Sequence, residues 1–424
     1  MSSLDTTIAA RRRIAALPPS ARVVFGLLER IERGSLKLTT PDGVVRRFGP
    51  GGPIGGPGGV SGEVDLTLHD WRVFRDILTG GDVAFADAYI DGRCETSDLT
   101  ALLSVVACNQ HALARAFYGR WWMQLALRLR HRWRDNTRAQ ARRNIVAHYD
   151  LGNDFYRLWL DPTMTYSSAL FDADPARTLA AAQQAKYARV LRHIDAPPGS
   201  RLLEIGCGWG GFAETAARSG YRVTAISLSD AQTAYARERI ARAGLSDLVE
   251  LRLQDYRDVK ESFDGVASIE MFEAVGERYW PVFFAAVRNA LRPGARACLQ
   301  TITIADQRFE QYRRGSDFIQ QTIFPGGMLA SPSRFVNEAG RAGLAVTDAF
   351  AFGNDYAETL RRWLAAFDAQ VNAVRALGFD QRFVRCWRFY LAYCAAGFTS
   401  ATTDVAQYTL QAVASSSAPL VRVA

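Results

Sequence analysis

In the second half of the chain, short apolar runs alternate with segments whose apolar residues recur at helical spacing, such as AAAQQAKYARVLRHI. The strand-like runs begin at Arg201, Tyr221, Val249, Phe263 and Ala295. Because strands that alternate with helices pair as a parallel sheet covered on both faces, the pattern predicts an α/β fold with a doubly wound, mostly parallel sheet. Ligands of such sheets bind at the carboxyl ends of the strands, so the polar residues that follow these runs are the first candidates for a site.

The first 115 residues show a mixed pattern instead. A helical pattern extends to about residue 33, and the segments SLKLTT and VDLTLHD are typical of strands. Residues 49–59 (GPGGPIGGPGG) predict an irregular loop, because so many glycines and prolines disfavour regular structure. Asp98 precedes an apolar run and is predicted to cap its helix. Residues 1–115 are therefore predicted to form a small mixed α/β domain, and we recognise no set of catalytic residue types in it.

Length and composition narrow the class of protein. With 424 residues, 48% of them hydrophobic and 22% charged, the chain is typical of a soluble protein of two domains. Its apolar stretches, such as Leu99–Cys108, are too short to cross a bilayer, and no secretion signal opens the chain. The six cysteines form no C-x-x-C pair and the five histidines no H-x-x-x-H pair, which predicts a reducing cytoplasm and no metal site.

The net charge of +8 is concentrated in one segment. Residues 120–143 contain eight arginines against the single acid Asp135, together with Trp121, Trp122 and Trp133. A basic amphipathic helix that carries tryptophan suits an anionic lipid surface, and a linker helix between domains with a solvated arginine face is the alternative. We expect this linker to span residues 116–143. Nucleic acid is not expected as a partner, because no binding signature accompanies the charge.

The run at Arg201 leads directly into a turn of closely spaced glycines, RLLEIGCGWGG (201–211). Glycine lets a backbone approach a ligand closely and adopts positive φ without strain. Glu204 would repel a pyrophosphate, so the turn favours a cationic ligand such as S-adenosylmethionine (SAM). The pattern E-x-G-x-G-x-G, with Gly206, Gly208 and Gly210, also resembles the first motif of Rossmann-like methyltransferases.

Further motifs occur in order along the chain: HYDLGNDFYRLWLDPTMTYSSALF, QDYRD, SIEMFEAVG and IFPGGMLASPS. Together with the glycine turn they resemble the cyclopropane fatty-acid synthase family, which includes the mycolic-acid cyclopropane synthases. The resemblance begins near residue 144, and DVAFADAYIDGRCETSDLTALL is similar to the N-terminal domain of the longer bacterial members. It implies a class I SAM-dependent methyltransferase fold with helical lid insertions over residues 144–424, preceded by a domain that engages lipid.

The resemblance also implies an activity and its residues. Family members act with SAM on double bonds within acyl chains of membrane phospholipids, and cyclopropane formation is the expected reaction. A bicarbonate ion serves as the base, and the positions matching its ligands are Ser168, Glu273, Gln300, the amide of Ile302, and Tyr356. The positions matching the SAM contacts are Tyr166, Ser167, Glu204, Gly206, Gly208, Gly210, Ser229, Gln232, Asp255 and Tyr256.

Two positions depart from the family pattern. Ser168 stands where the family usually has cysteine, and Gln300 stands where it has histidine. The first change keeps the backbone N–H, whereas the second replaces a titratable ring with an amide that carries no charge. Methyl transfer depends on alignment and should survive both changes, but ring closure depends on the base. Methylation without ring closure, giving a methyl-branched, methylated-alkene or methylene fatty acid, is therefore the alternative.

A non-catalytic protein that binds lipid or SAM is a further alternative from another class. Methylation of nucleic acid is disfavoured, because the chain has no N-P-P-Y-type motif. We expect a cytoplasmic protein on the inner face of the membrane, with an anionic surface and unsaturated phospholipid as partners. The sequence leaves open whether it forms a homo-oligomer.

Overall fold

The computed structural model describes residues 17–54, 63–111, 113, 151–174 and 176–413. The basic segment 120–143, and with it the predicted linker 116–143, lies outside the described residues. Within the described part of the chain, no helix is both long enough and apolar enough to span a bilayer.

Residues 17–113 form a unit of mixed structure, which we call the N-terminal unit. Its helices are α1 (Pro19–Leu28), α2 (Arg72–Ile90) and α3 (Leu99–Cys108). Its strands are β1 (Gly34–Thr39), β2 (Val45–Gly51), β3 (Glu63–Leu68) and β4 (Cys94–Glu95), in the sheet order β2-β1-β3-β4. β1 pairs antiparallel with β2 and parallel with β3. Asp98 caps α3 as predicted, accepting a hydrogen bond of 2.8 Å from the amide of Ala101.

Two boundary predictions in this unit were wrong. The first helix ends at Leu28 rather than near residue 33, because the chain must turn before β1 begins at Gly34. The predicted loop 49–59 also begins too early, since β2 continues to Gly51. β2 is an edge strand, where the missing amide of Pro50 is tolerated. Gly49 has φ +84°, and a Cβ there would lie 2.5 Å from the carbonyl oxygen of Gly34.

Residues 151–413 contain the doubly wound sheet that the sequence predicts. Its strands are β5 (Arg201–Ile205), β6 (Arg222–Ser227), β7 (Val249–Leu253), β8 (Phe263–Ile269), β9 (Leu291–Ile304), β10 (Leu344–Ala351) and β11 (Thr403–Ala412). The order is β10-β11-β9-β8-β5-β6-β7. β5 to β9 are parallel, and β11 lies antiparallel to both of its neighbours. The α/β prediction is confirmed.

Helices cover this sheet and extend above its carboxyl edge. They are α4 (Asn153–Arg157), α5 (Leu179–Ile194), α6 (Gly211–Arg218), α7 (Asp230–Arg242), α8 (Trp280–Ala290), α9 (Asp306–Arg314), α10 (Pro332–Arg341), α11 (Gly353–Ala369), α12 (Val371–Ala376) and α13 (Gln381–Thr399). Shorter helical turns occupy Tyr256–Asp258, Phe272–Ala274, Glu277–Tyr279 and Ile319–Ile323. α11, α12 and α13 are inserted between β10 and β11. The resemblance implies helical lid insertions but does not give their position.

α13 joins the N-terminal unit to the sheet region. The ring of Phe389 lies 6.0 Å from that of Phe85 and 5.9 Å from that of Tyr89, both on α2. On its other side it lies 4.8 Å from the ring of Phe318. Arg385 adds a hydrogen bond of 2.6 Å to the carbonyl of Tyr89. One buried apolar cluster therefore extends through both parts of the molecule.

We expect Phe389→Ala to lower the free energy of unfolding by about 3–5 kcal/mol, because it removes a fully buried ring that packs against both parts of the molecule. Urea unfolding followed by circular dichroism measures the change. Val282→Ala, at a position 43% exposed on α8, is the control and should stay close to wild type. Equal stabilities of the two variants would contradict this description of the junction.

Candidate active site

A cavity of about 410 Å³ opens at the carboxyl edge of the sheet. Its lining includes residues at or just after the ends of β5, β6, β7, β8 and β9, so the site lies where the topology predicts it. Residues of α11 and α13 form part of its wall. Asp82 of α2 and Leu103, Ala107 and Gln110 in and just after α3 also line it. The N-terminal unit therefore contributes directly to the cavity.

The glycine turn after β5 forms one end of this cavity. Gly206, Gly208 and Gly210 have φ values of +86°, +52° and +80°. A Cβ at Gly206 would lie 2.8 Å from the side chain of Met271, and one at Gly211 would lie 2.8 Å from the hydroxyl of Tyr187. The turn therefore presents bare backbone to the cavity, as the sequence predicts.

Glu204 lies at the end of β5 with only 3% of its surface exposed. Burial raises the pKa of its carboxyl to about 8, and the positive charge of Arg239 opposes that shift. One of its oxygens has no hydrogen-bond partner among the described residues. A cation bound in the cavity would favour the ionised form of this carboxyl, so its position fits a sulfonium cofactor carrying an ammonium group.

The other predicted SAM contacts divide into two groups. Tyr166, Ser167, Gln232 and Tyr256 line the cavity with Glu204, Gly206 and Gly208. Gly210, Ser229 and Asp255 are not part of its lining and have structural roles. Gly210 is the N-cap residue of α6, the Ser229 hydroxyl caps α7 at the amide of Gln232, and Asp255 pairs with Arg257 at 2.6 Å.

Glu270, just after β8, lies at the centre of the remaining predicted site residues. Its Oε1 accepts hydrogen bonds from the amide of Ser168 at 2.8 Å and from Nε2 of Gln300 at 2.7 Å. Its Oε2 accepts one from the hydroxyl of Tyr356 at 2.6 Å. Glu270 lines the cavity, whereas Ser168 and Gln300 reach it only through this carboxylate.

Glu273 lies one turn further on and has its own donors. Its Oε1 accepts hydrogen bonds from the amide of Ile302 at 2.5 Å and from the hydroxyl of Thr301 at 3.0 Å. Its Oε2 has no hydrogen-bond partner among the described residues. Burial, reinforced by the charge of Glu270, raises the pKa of Glu273 to about 8.

These hydrogen bonds show whether the site could bind the bicarbonate ion that the family resemblance implies. The amide of Ser168, the side chain of Gln300 and the hydroxyl of Tyr356 already donate to Glu270. The remaining donor, the amide of Ile302, is bonded to Glu273. A bound anion would have to displace Glu270 and Glu273 from these groups and lie beside two acidic side chains. The site therefore does not fit bicarbonate.

A buried lysine partly balances the charge of these acids. Lys186 on α5 is fully buried, and its Nζ donates to the Ser167 hydroxyl at 2.5 Å. Burial lowers the pKa of Lys186 to about 7, against the attraction of Glu270, Asp161 and Glu204. Burial likewise raises the pKa of Glu270, against its three hydrogen bonds and the charge of Lys186. The donors on its oxygens and the charge of Lys186 favour the ionised form of Glu270.

Aromatic side chains form much of the cavity wall. Those among its lining are Tyr166, Tyr187, Trp209, Tyr256, Tyr312, Phe324, Tyr356, Tyr390, Tyr393 and Phe398. The hydroxyls of Tyr166 and Tyr390 lie 2.6 Å apart, and the rings of Tyr356 and Phe398 stack at 4.4 Å. Aromatic faces stabilise a positive charge in a water-poor site. Among the described residues, no group of three or more His, Cys, Asp or Glu is arranged to hold a metal ion.

Sequence reasoning missed Glu270, Lys186 and the contribution of the N-terminal unit. Glu270 stands in the quoted segment SIEMFEAVG, but family matching directed attention to Glu273, three residues later. An acid at the end of a predicted strand was the available signal. Lys186 carries no such signal, because its burial depends on how α5 packs. The catalytic and SAM-binding roles that the resemblance implies for the other residues stay predictions.

A parallel sheet with an antiparallel last strand, a bare glycine turn and a buried acid at the end of β5 define a SAM-dependent methyltransferase. The family model described as mycolic acid cyclopropane synthetase matches residues 136–408. The chain belongs to this family.

Named relatives agree with that assignment. The tuberculostearic acid methyltransferase UfaA1 of Mycobacterium tuberculosis is 42% identical over 344 residues, covering 79% of this chain and 80% of its own. The cyclopropane-fatty-acyl-phospholipid synthase of Escherichia coli K12 is 33% identical, covering 80% and 85%. The mycolic acid cyclopropane synthase CmaA1, solved in complex with SAH and CTAB, superposes with a TM-score of 0.60 at 32% identity, covering 64% and 98%. The protein is a SAM-dependent enzyme of fatty-acid modification.

We expect Gly206→Ala to weaken SAM binding by at least about tenfold, because the added methyl group would collide with Met271 and the residue must keep a positive φ. Isothermal titration calorimetry measures the affinity. Gly220→Ala is the matched control, since Gly220 has φ +87° and the nearest atom to its Cβ would lie 3.9 Å away. If both variants lose affinity equally, the turn does not act through its close packing.

The raised pKa of Glu204 predicts how stability changes with pH. Between its ordinary value of 4.5 and about 8, this carboxyl holds its proton in the folded protein and releases it on unfolding. The free energy of unfolding should therefore fall as pH rises through this window, by up to about 1.4 kcal/mol per pH unit from this group. Glu204→Gln should remove that contribution, and urea unfolding of both proteins from pH 5 to 9 measures it. Parallel profiles would show that Glu204 is ionised throughout.

Proposed function

We propose that this enzyme transfers the methyl group of SAM to a double bond in an unsaturated acyl chain of a membrane phospholipid. The observation that carries the proposal is the continuity of one cavity, which extends from the glycine turn along an aromatic wall to α3. Such a cavity holds a cofactor at one end and leaves an apolar path for a chain. The family assignment supports the same reaction class.

The chemistry explains why the cavity is built in this way. Bound SAM supplies an electrophilic methyl group, whereas an isolated alkene is a weak nucleophile that no side chain can activate by deprotonation. The protein must therefore align the two groups and exclude water. Methyl transfer leaves a carbocation on the chain, which the faces of residues such as Tyr356 and Phe398 would stabilise.

Membrane contact is part of the proposal. The chain carries a net charge of +8, and residues 120–143 hold eight arginines. Charge of this kind favours an anionic lipid surface on the inner face of the membrane. We propose residues 1–115 as the lipid-engaging domain, 116–143 as the linker and 144–424 as the catalytic domain. The lining residues from α2 and α3 support a role for the first domain in receiving the lipid.

Two observations favour an open, methyl-bearing product over a ring. Gln300 occupies the position where the family pattern has histidine, so the base arrangement differs from that of the ring-forming enzymes. The 42% identical relative is named a tuberculostearic acid methyltransferase. Cyclopropane formation, the reaction first expected from the sequence, is the second candidate.

One experiment tests the activity and separates the products. Purified protein is incubated with SAM labelled in the methyl group and with liposomes of unsaturated phospholipid, and the released fatty acids are analysed by mass spectrometry and NMR. Labelled chains that keep olefinic signals would support methylation, and cyclopropane signals would support ring closure. Unlabelled lipid despite SAM binding would overturn the proposal and favour a protein that only binds lipid or SAM.

We expect Ala107→Trp to reduce lipid methylation at least about tenfold without changing SAM affinity, because the indole would fill the cavity at α3, on the side of the N-terminal unit. Steady-state kinetics with liposomes, together with calorimetric SAM titration, separates the two effects. His111→Trp places the same indole at an exposed position nearby and should behave as wild type. Unchanged methylation by Ala107→Trp would mean that the acyl chain does not approach α3.

A further inference from the structure

We propose that the carboxylate of Glu270 is the proton acceptor of the reaction, built into the chain in the place that the family resemblance gives to bicarbonate. The inference rests on the proposed function, since it concerns the fate of the cation that methyl transfer creates. It makes the enzyme independent of a dissolved anion.

The donors around Glu270 are groups that the resemblance assigns to bicarbonate. The Ser168 amide, the Gln300 side chain and the Tyr356 hydroxyl come from the loop before α5, from β9 and from α11. These are three of the groups that would bind bicarbonate, and all three converge on one glutamate. Glu270 also lines the cavity, so its carboxylate is placed where the base should be.

The orientation of the Gln300 amide is fixed by its neighbours. The guanidinium of Arg189 donates to Oε1 of Gln407 at 2.9 Å, and Nε2 of Gln407 donates to Oε1 of Gln300 at 3.0 Å. Since a guanidinium can only donate, it sets the direction of both amides. Gln300 must therefore present its NH₂ group to Glu270. This chain of hydrogen bonds favours an ionised carboxylate, which is the form that accepts a proton.

The backbone of Glu270 is strained. Its φ is +52°, in the left-handed region, where a residue other than glycine costs about 1–2 kcal/mol. The amide of Glu270 is held by a hydrogen bond of 2.8 Å to the carbonyl of Gln300. Strain of this kind is retained at functional sites when the surroundings impose it. A glutamate kept in a conformation that suits glycine is therefore explained by what its side chain does.

The reaction balances with this assignment. The π electrons of the alkene form the new bond to the transferred methyl carbon, and the electrons of the broken S–C bond remain with S-adenosylhomocysteine. The resulting cation loses a proton to the Glu270 carboxylate. The electrons of that C–H bond close a ring if the proton leaves from the new methyl group. They form a double bond if the proton leaves from a neighbouring chain carbon.

Two variants of the same residue test the assignment. Glu270→Gln keeps the size of the side chain but cannot accept the proton, and Glu270→Gly removes the carboxylate together with the backbone strain. We expect each to lower lipid methylation about 100-fold or more, while SAM affinity stays within about threefold of wild type. Formate or bicarbonate should partly restore Glu270→Gly, because the three donors are then free to bind a small anion. The exposed Glu250→Gln is the control and should behave as wild type.

The wild-type enzyme supplies the complementary measurement. In CO₂-depleted buffer it should methylate lipid as fast as with added bicarbonate. A wild-type enzyme that stops without bicarbonate, or a Glu270→Gln variant of normal rate, would overturn the assignment. Glu270→Gly keeps the test decisive if the glutamine variant does not fold, since glycine suits the backbone at this position. Absence of lipid methylation by wild type under all conditions would instead refute the proposed function.

The chemical identity of the products tests the role of Glu270 independently of the rate of methylation. A cation that meets no base persists and can be captured by water, giving a methyl-bearing alcohol that is heavier than the normal product by one water. We expect mass spectrometry to find this alcohol among the residual products of Glu270→Gln. A merely structural role for Glu270 would lower the yield without changing the product, and that result would also overturn the assignment.

Discussion

The structure depends on the cost of burying carboxylates at the carboxyl edge of the central sheet. Glu204, Glu270 and Glu273 all lie there, and burial raises the pKa of each. A buried acid is tolerated only when donors or counter-charges replace the water that it loses. Glu270 obtains its donors from three separate parts of the chain. The site is therefore complete only after the helices inserted between β10 and β11 have folded, because Tyr356 reaches Glu270 only when α11 has packed.

The N-terminal unit is coupled to the same centre through α13. Phe389 of this helix packs against α2, and Tyr390 and Tyr393 of the same helix line the cavity. The hydroxyl of Tyr393 donates to Asp82 of α2 at 2.8 Å, and Asp82 is itself part of the lining. A displacement of the N-terminal unit would therefore move the aromatic side chains of α13 that line the cavity. A lipid at α3, as proposed above, would be linked through these contacts to the wall of the cavity.

The sheet, the glycine turn and the position of the cavity at the carboxyl ends of the strands could be predicted from the sequence because they depend on local pattern. β5 is a short apolar run with an acid near its end, and the bare backbone that follows needs only glycine. Glu270 could not be identified in this way, since its importance arises from three partners distant in the chain and from a positive φ at a residue other than glycine. Ser229 caps a helix and Asp255 pairs with Arg257, and their predicted ligand contacts stay predictions, because caps, ion pairs and ligand contacts use the same residue types at the same places in a fold. Sequence spacing does not separate these roles.

A carboxylate supplied by the chain differs physically from a bound anion in two respects. It is present at every turnover and needs no path from solvent, so the cavity can stay dry while the cation exists. It is also tethered, and Gln300 and Tyr356 restrict its position further. A mobile anion can approach whichever C–H bond is most acidic, whereas a fixed carboxylate removes the proton that the bound chain places nearest to it. The position of the acyl chain against the aromatic wall would then decide whether the product is a ring or a new double bond.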